Sequence, residues 1–533
     1  MEDKKHFIAT LTLICLILAI PLYQYLSGNP ASKESEDYLT IEGVLSSDYY
    51  TLYPYKAKNL KACFSKYGEA ASPEGSLAYG GVQLFPSPPI EGWLLQYEYL
   101  DSSGERRRGT AYALYCDPSL SLPGSGRSQN LLAEPLDIVY NGPRRLIAQA
   151  VIHIMESYVN IVNVRQTLIF NKVYKHITIL MDISFLKTVE EAELLHVKFS
   201  RRLSLPSQNV EVKRGMETVY WEGGLKTYDL AVFPAGGATA YAAYWPSPGR
   251  LYLATVEDWR AASPSPAGAG RSCILVAEWE AAIPPNTSKR FVVVYGAVEE
   301  DQELQYQLNL VFNPWDLRDA VHTKYQWILV GRNAPEDLKT ARILSKIFPE
   351  ARLAFDAVNS SLPEIPALMA VGSAGYHDSL NRLHFKTSSG GLLVAGSSMV
   401  VVGSLYANMG SEYFNDLTDI FILHRARSDP IPLFSTSMTA WYAPSSTRNG
   451  FHPVGNGTVL ITAHRDLNGT AALCIWGWSF RDTYYASVAL QHIDFDSIPK
   501  GVTSMLIKFN YDRLPFEPGF YTILEYAGTI TSW

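Results

Sequence analysis

The amino terminus carries the longest apolar run of the chain. No charged residue occurs between Lys5 and Lys33, and the twenty positions Phe7–Leu26 are mostly apolar. A helix of twenty residues is about 30 Å long, which matches the hydrocarbon core of a bilayer. We therefore predict a transmembrane helix that serves as anchor or signal segment in residues 1–27, with the lipid bilayer as its partner, and a polar linker in residues 28–40.

Charges on the two sides of this run predict its orientation. Lys4 and Lys5 precede it, whereas Glu34, Glu36 and Asp37 follow it. Because basic residues stay on the cytoplasmic side, we expect a single-pass protein of the cell membrane, with its amino terminus inside and the bulk of the chain extracellular. A cleaved signal peptide is the alternative, although no Ala-x-Ala-like pair of small residues follows the run.

Alternating and continuous apolar segments dominate the next 275 residues. Short runs rich in β-branched and aromatic residues, separated by Gly, Pro and Ser, predict a β-rich domain in residues 41–205 and a β-sandwich-like domain in residues 206–315. Residues 146–162 show apolar positions at both the helical and the strand period. That segment is therefore either a helix or two strands.

The pattern changes after residue 315. A short apolar strand at 327–331 is followed by a helical pattern at 337–348, for which Asn333 offers an N-cap and Pro335 a first-turn proline. Further strands and a second helix at 481–493 repeat this order. It predicts a parallel strand-turn-helix domain in residues 316–493, followed by a β segment in residues 494–533. The fold class expected is thus multidomain and mainly β, with a carboxy-terminal α/β region.

Composition narrows the possible partners. The 533 residues include 18% charged positions and carry a formal net charge of -7. No basic excess exists to neutralise phosphates, so nucleic acid is not expected as a partner. The histidines show no metal-binding spacing, and no catalytic, cofactor-binding or metal-binding residue is predicted.

Cysteines and sequons fit an extracellular location. Cys63 and Cys116 fall in one β-rich region and form a possible disulfide, which would close a loop of about 50 residues. Cys273 and Cys474 lie in apolar strands and are expected as buried thiols. The candidate glycosylation sites are Asn286, Asn359, Asn456 and Asn468.

Two groups of carboxylates deserve a functional test. Glu257, Asp258 and Glu278 lie near Trp259 and Trp279, a combination that glycosidases use as acid and base beside sugar-stacking rings. The competing interpretation is that these tryptophans are core residues of a sandwich. Asp494 and Asp496 could contribute oxygen ligands to Ca²⁺, but a solvated strand edge is favoured because no further ligands are visible.

Residues about 320–490 contain apolar strands that end in Val-Gly turns, and a late strand ending in Trp476-Gly477-Trp478 that runs into a helix opened by Arg481-Asp482-Thr483. In these features the segment resembles archaeal surface-layer proteins. The chain departs from the usual family turn, since it has Val-Gly-Arg-Asn and Val-Gly-Ser-Ala. The resemblance implies a glycoprotein of the cell envelope, part of or attached to a surface layer and capable of self-assembly.

These observations favour a structural or adhesive protein of the cell surface, whose partners are other envelope proteins or glycans. Two alternatives stay open. One is a membrane-tethered carbohydrate-active enzyme that uses Glu257, Asp258 or Glu278. The other is an extracellular ligand-binding receptor that uses a cleft at the strand ends of the α/β region.

Overall fold

The computed structural model describes the chain between residues 39 and 530, with gaps of which the longer are 66–76, 84–91, 115–129, 187–193, 256–272, 424–430 and 444–455. Up to residue 92 only the path of the strands is described. These first strands form a five-stranded antiparallel sheet in sequential order. They are β1 (Leu39–Gly43), β2 (Tyr49–Pro54), β3 (Leu60–Ser65), β4 (Leu77–Tyr79) and β5 (Val82–Gln83).

Residues 92–298 form one large β-sandwich. Its strands are β6 (Gly92–Leu100), β7 (Arg106–Leu114), β8 (Asn130–Ala133), β9 (Asp137–Asn141), β10 (Arg145–Glu156), β11 (Val159–Asn171), β12 (His176–Phe185), β13 (Leu195–Leu205), β14 (Glu211–Trp221), β15 (Gly224–Ala235), β16 (Ala238–Trp245), β17 (Arg250–Thr255), β18 (Cys273–Ile283) and β19 (Ser288–Val298). A nine-stranded sheet has the order β14-β15-β16-β19-β12-β11-β10-β8, with β9 also paired to β10. The smaller sheet has the order β17-β18-β13-β6-β7.

Strand pairing crosses the boundary that was expected near residue 205. In the smaller sheet β13 pairs with β18, and in the larger sheet β12 pairs with β19. Strands from both expected domains therefore share one hydrophobic core, and residues 92–298 form a single sandwich instead of two. The sequence pattern could not show this, because it locates strands but not the long-range pairing between them. The ambiguous segment 146–162 forms two paired strands, β10 and β11.

The nine-stranded sheet is covered on both faces. One face packs on the smaller sheet through residues such as Phe199, Trp279 and Phe291. The other face packs on helix α1 (Asp301–Phe312) and on Phe421 and Phe434 of the carboxy-terminal region. Because both faces are covered, β12 and β19 are buried at nearly every position, and the middle of β19 is a continuous apolar run from Phe291 to Tyr295.

The carboxy-terminal region is built on a seven-stranded mixed sheet of order β21-β20-β26-β31-β30-β32-β33. Its elements and the small sheets beside it are α2 (Leu317–Val321), β20 (Trp327–Val330), α3 (Asp337–Ile347), β21 (Arg352–Phe355), β22 (Met369–Val371), β23 (Tyr376–His377), β24 (Leu383–His384), β25 (Gly391–Leu393), β26 (Ser398–Val402), α4 (Met409–Asn415), β27 (Ile420–Ile422), β28 (Ile431–Ser435), β29 (Ala440–Ala443), β30 (Asn456–Arg465), β31 (Ala471–Gly477), α5 (Phe480–Ala489), a 3-10 turn (Phe495–Ser497), β32 (Ser504–Asn510) and β33 (Tyr521–Ala527).

The expected α/β character is found, with two differences. Strands β21, β20, β26 and β31 are parallel, and the predicted helices appear as α3 and α5. However, β32 and β33 of the segment 494–533 extend the same sheet, so this segment is not separate. Helix α3 is capped at Glu336 without a side-chain hydrogen bond, so Asn333 is not its N-cap.

Buried charges join the sandwich to the carboxy-terminal region. Arg290 forms two hydrogen bonds with Asp182 inside the large sheet, and it also donates to the carbonyl oxygens of Thr436 (2.7 Å) and Thr529 (3.2 Å). Arg145 donates to the carbonyl oxygen of Thr418, and burial lowers its pKa to about 10.

Some sequence predictions fall on residues outside the described part of the chain. The segment Phe7–Leu26 and Cys116 are outside it, as is the side chain of Cys63. Within the described residues no helix is long and apolar enough to cross a membrane. Cys474 is buried and free, as expected, and burial raises its pKa to about 12.

Candidate functional site

Charged side chains concentrate on the outward face of the smaller sheet. Side chains alternate between the two faces of a strand, so Phe199 and Trp279 enter the core, whereas their neighbours Lys198, Glu278 and Glu280 lie on the opposite face. Strand register then places Lys198 beside Glu280. The local alternation of β13 and β18 is thus what creates a polar surface behind an aromatic core.

A cavity of about 760 Å³ opens at the corner of this sheet, next to the connection between β16 and β17. Both sheets of the sandwich contribute to its wall. The lining residues are Leu225, Lys226, Thr227, Pro246, Ser247, Gly249, Arg250, Glu278, Trp279, Glu280, Ala281, Ala282, Lys289 and Phe291. Cavities of this size suit small-molecule ligands.

Glu278 is the most enclosed carboxylate of this cavity, with a side chain only 12% exposed. Its Oε2 lies 3.4 Å from Lys198 Nζ and 3.4 Å from Arg250 Nη1. Its Oε1 accepts a hydrogen bond of 3.1 Å from the Tyr252 hydroxyl. Burial and the charge of Glu278 together raise the pKa of Tyr252. Glu278 therefore works as the centre of an ion-pair cluster on the outward face.

Two lysines line the other side of the cavity. Lys226 on β15 and Lys289 on β19 are both half-buried, and no ion pair or hydrogen bond to a described residue engages either ammonium group. The pKa of Lys289 is lowered mainly by burial and, to a smaller extent, by the positive charge of Lys226. Two like charges held close together without an acidic partner cost free energy, which an anion bound between them would recover.

Trp279 forms part of the wall but does not stand free as a sugar-stacking ring. Its indole Nε1 donates to the carbonyl oxygen of Pro246 at 2.6 Å. Its ring stacks on Phe199, with centroids 5.6 Å apart, and contacts Phe291 at 5.3 Å. Of the two interpretations offered by the sequence, the structure supports the second for Trp279, which is a core residue of the sandwich.

Only part of the predicted group of carboxylates and tryptophans lies among the described residues. Glu278 lines the cavity together with Glu280, which was not among the carboxylates predicted from the sequence. Glu257, Asp258 and Trp259 lie outside the described residues, so the structure does not place them beside Glu278. Neither Lys226 nor Lys289 was identified from the sequence, because only the pairing of β15, β16 and β19 brings their strand ends together.

The sequons occupy different environments. Asn286 is exposed in the turn between β18 and β19, and Asn456 is exposed at the start of β30. Asn359 is half-buried, where its Oδ1 accepts from the Ser361 amide (2.9 Å) and its Nδ2 donates to the Arg332 carbonyl oxygen (3.3 Å). Asn468 lies outside the described residues. Glycosylation at these positions stays a prediction.

The aspartates considered for calcium have local structural roles. Asp494 caps the 3-10 turn by accepting from the Asp496 amide. The Asp496 carboxylate lies 3.9 Å from Arg318 and 3.5 Å from His322. Within the part of the chain that the structure describes, no group of three or more His, Cys, Asp or Glu side chains could hold a metal ion.

The strand-end position expected for a receptor cleft is filled by the protein itself. In a parallel sheet such a cleft forms where the chain order reverses, which here is between β20 and β26. Asn408 spans this position by donating to the carbonyl oxygens of Leu329 (2.9 Å) and Val402 (2.8 Å). Asp356 accepts from the Arg332 and Met409 amides just beyond it. The described side chains leave the cavity of the sandwich as the better ligand site.

Comparison with known proteins gives no family. No family model matches the chain, and no curated protein matches it. Solved structures that resemble part of it include a putative aldose 1-epimerase from Escherichia coli K12, with 10% identity, 45% of this chain and 96% of that chain covered, and a TM-score of 0.25.

Two further structures give similar values. A galactose mutarotase-like protein from Clostridium acetobutylicum has 9% identity, covers 49% of this chain and 98% of its own, and has a TM-score of 0.29. A heparan sulfate lyase mutant from Pedobacter heparinus has 10% identity, with 49% and 36% covered and a TM-score of 0.25. TM-scores this low do not establish a shared fold, so the activities of these proteins are not transferred to this chain. The protein is thus a mainly β protein with a mixed α/β carboxy-terminal region, and its candidate site is the cavity lined by Lys226, Lys289 and Glu278.

Proposed function

We propose that this protein is a binding protein of the cell envelope, which holds an anionic ligand in the cavity of its sandwich. The carrying observation is the pair Lys226 and Lys289, two half-buried ammonium groups that line the cavity with no acidic partner among the described residues. Arg250 adds a third positive charge to the same wall. The envelope location rests on the apolar run Phe7–Leu26 and its flanking charges.

The lining favours a ligand that also carries hydroxyl groups. Thr227 Oγ1 and Ser247 Oγ lie 2.8 Å apart on the wall, and Glu278 and Glu280 provide acceptors. An acidic saccharide combines an anionic group for the lysines with hydroxyls for these side chains. Such a ligand agrees with the glycan partners expected from the sequence. It also agrees with the expected adhesive role, by which the chain would attach to a surface layer.

Calorimetric titration of the full-length chain in detergent tests the proposal. The ligands are a uronic acid disaccharide, a sulfated disaccharide and a neutral disaccharide. We expect the acidic ligands to bind and the neutral one to bind far more weakly. Replacing a lysine by glutamine removes a charge-assisted hydrogen bond, which costs about 1.5–3 kcal/mol, or roughly 10- to 150-fold in affinity.

Lys508→Gln is the matched control, because Lys508 is an exposed strand lysine on β32, outside the cavity lining. Equal binding of acidic and neutral ligands, or unchanged affinity in both Lys226→Gln and Lys289→Gln, would refute the proposal. Melting temperatures of the variants are measured alongside, so that loss of binding is not confused with unfolding.

A carbohydrate-active enzyme is the second candidate. Glu278 and Glu280 lie two residues apart on the outward face of β18 and line the same cavity. Two residues along a strand place their Cα atoms about 7 Å apart, a spacing compatible with the roughly 6.5–9.5 Å between the carboxylates of inverting glycosidases. Release of new reducing ends from the ligands above, abolished by Glu280→Gln, would favour this candidate. Intact ligands after prolonged incubation would count against it.

A further inference from the structure

A second cavity continues the first one across the smaller sheet. It has a volume of about 590 Å³, and it shares Glu280, Ala281 and Ala282 with the cavity described above. Its other lining residues are Gln96, Tyr97, Glu98, Arg108, Gly109, His196, Val197 and Lys198. Since the two cavities have a common wall segment on β18, they are neighbours on the sheet, and together they are called the groove.

Strand register shows the direction of this groove. Glu280 lies beside Lys198, and Lys198 lies beside Gln96, so one row of side chains runs from β18 over β13 to β6. The next row continues from His196 over Glu98 to Arg108 on β7. Neighbouring strands are about 4.8 Å apart, so the groove crosses roughly 14 Å of sheet between β18 and β7. A single small anion at the lysine pair does not reach its far end.

Charges of opposite sign alternate along the groove. Arg108 is 67% exposed, and its Nε donates to Glu98 Oε2 at 2.6 Å, while its two terminal nitrogens have no described contact. A guanidinium fork of this kind binds carboxylates and sulfates through two parallel hydrogen bonds. Five cationic side chains line the groove against three carboxylates: Lys226, Lys289, Arg250, Lys198 and Arg108 against Glu278, Glu280 and Glu98.

We propose that the groove binds a linear acidic oligosaccharide, with one acidic group at Lys226 and Lys289 and another at Arg108. This inference rests on the function proposed above, and extends it from a small anionic ligand to a chain. The cationic ends match acidic groups spaced along the ligand. The carboxylates between them accept hydrogen bonds from sugar hydroxyls, which an acidic peptide of the same charge does not offer.

The test compares a uronic acid disaccharide with a hexasaccharide of the same acid on the full-length protein, with affinities expressed per disaccharide unit. We expect the hexasaccharide to bind about tenfold or more tightly, because the second contact becomes intramolecular once the first is made. Arg108→Gln should remove this gain, so that its loss of hexasaccharide affinity is much larger than its loss of disaccharide affinity. Lys289→Gln should weaken both ligands.

Arg106→Gln is the matched control, because Arg106 also pairs with Glu98 (2.8 Å) but does not line the groove. An equal loss of hexasaccharide affinity in Arg106→Gln and Arg108→Gln would overturn the inference, as would equal affinity for the two chain lengths. Binding of a glutamate hexapeptide as tight as that of the hexasaccharide would refute the saccharide class. If neither saccharide binds the wild type, the proposed function itself fails.

Discussion

The buried pair of Asp182 and Arg290 allows a quantitative test of how the sandwich holds the carboxy-terminal region. Arg290 is 2% exposed, and its two hydrogen bonds to Asp182 measure 2.8 and 3.0 Å. Replacing Arg290 by methionine keeps an unbranched apolar chain but leaves the buried carboxylate without its partner. Removal of one member of a buried pair costs about 3–5 kcal/mol.

The same substitution also removes the two donors that reach the carboxy-terminal region. The carbonyl oxygens of Thr436 and Thr529 lose hydrogen bonds from a charged group, each worth about 1.5–3 kcal/mol. These contributions overlap, because one side chain makes them all. We therefore expect Arg290→Met to lower the free energy of unfolding by at least about 4 kcal/mol.

The double variant Asp182→Leu/Arg290→Met separates the two effects. It removes the uncompensated carboxylate, so it should be about 2 kcal/mol or more less destabilised than Arg290→Met alone, while the loss at the two carbonyls persists. Urea unfolding followed by both circular dichroism and tryptophan fluorescence measures these differences. A cost below about 1 kcal/mol for Arg290→Met, or a double variant that shows the sum of both single losses, would refute the reasoning.

Three further predictions concern single sites. Burial raises the pKa of Asp337 to about 7 from 3.8, so the unfolded chain releases this proton at lower pH than the folded one. The free energy of unfolding should therefore fall by about 4 kcal/mol between about pH 4 and pH 7. Urea unfolding should show no such fall for Asp337→Asn, whereas the exposed control Asp512→Asn should show the same fall as the wild type. Gly477→Ala should destabilise the fold by about 1–3 kcal/mol, because a Cβ there would lie 2.3 Å from the Cβ of Asp482; an unchanged melting temperature would contradict this. Binding of an acidic disaccharide to the wild type should weaken as the pH rises through the lowered pKa of Lys289. The variant Lys289→Arg should retain binding in a titration at pH 10, because arginine stays charged. Equal losses of affinity in the wild type and in Lys289→Arg would count against a role for this charge.

Local structure followed from the sequence where one face of an element is solvated. Helix α3 was predicted at 337–348 and spans Asp337–Ile347, because its apolar positions form a single stripe against the sheet. Helix α5 was predicted at 481–493, and it spans Phe480–Ala489 with Ser479 as its cap. The glycine of the Trp476-Gly477-Trp478 segment has a physical reason too, since α5 begins so close to the strand end that no side chain fits.

Long-range pairing was not accessible to the same reasoning. Strands β12 and β19 are buried on both faces, and the continuous apolar run of β19 carries no sign of which face meets which partner. They are separated by more than a hundred residues and yet lie side by side, which merges two expected domains into one sandwich. Likewise β32 looks like an independent strand in the sequence, whereas it completes a sheet begun at residue 327.

The candidate site shows where prediction from single residues ends. Glu278 was one of three carboxylates near tryptophan that the sequence suggested for a glycan-processing site, and it does line the cavity. Its tryptophan faces the core, however, because adjacent residues of a strand point to opposite faces. The residues that give the cavity its charge, Lys226 and Lys289, lie 63 positions apart on strands that both pair with β16. A cavity that owes its charge to strand ends is a property of the sheet order, so any sequence that conserves this order and both lysines should bind the same class of ligand.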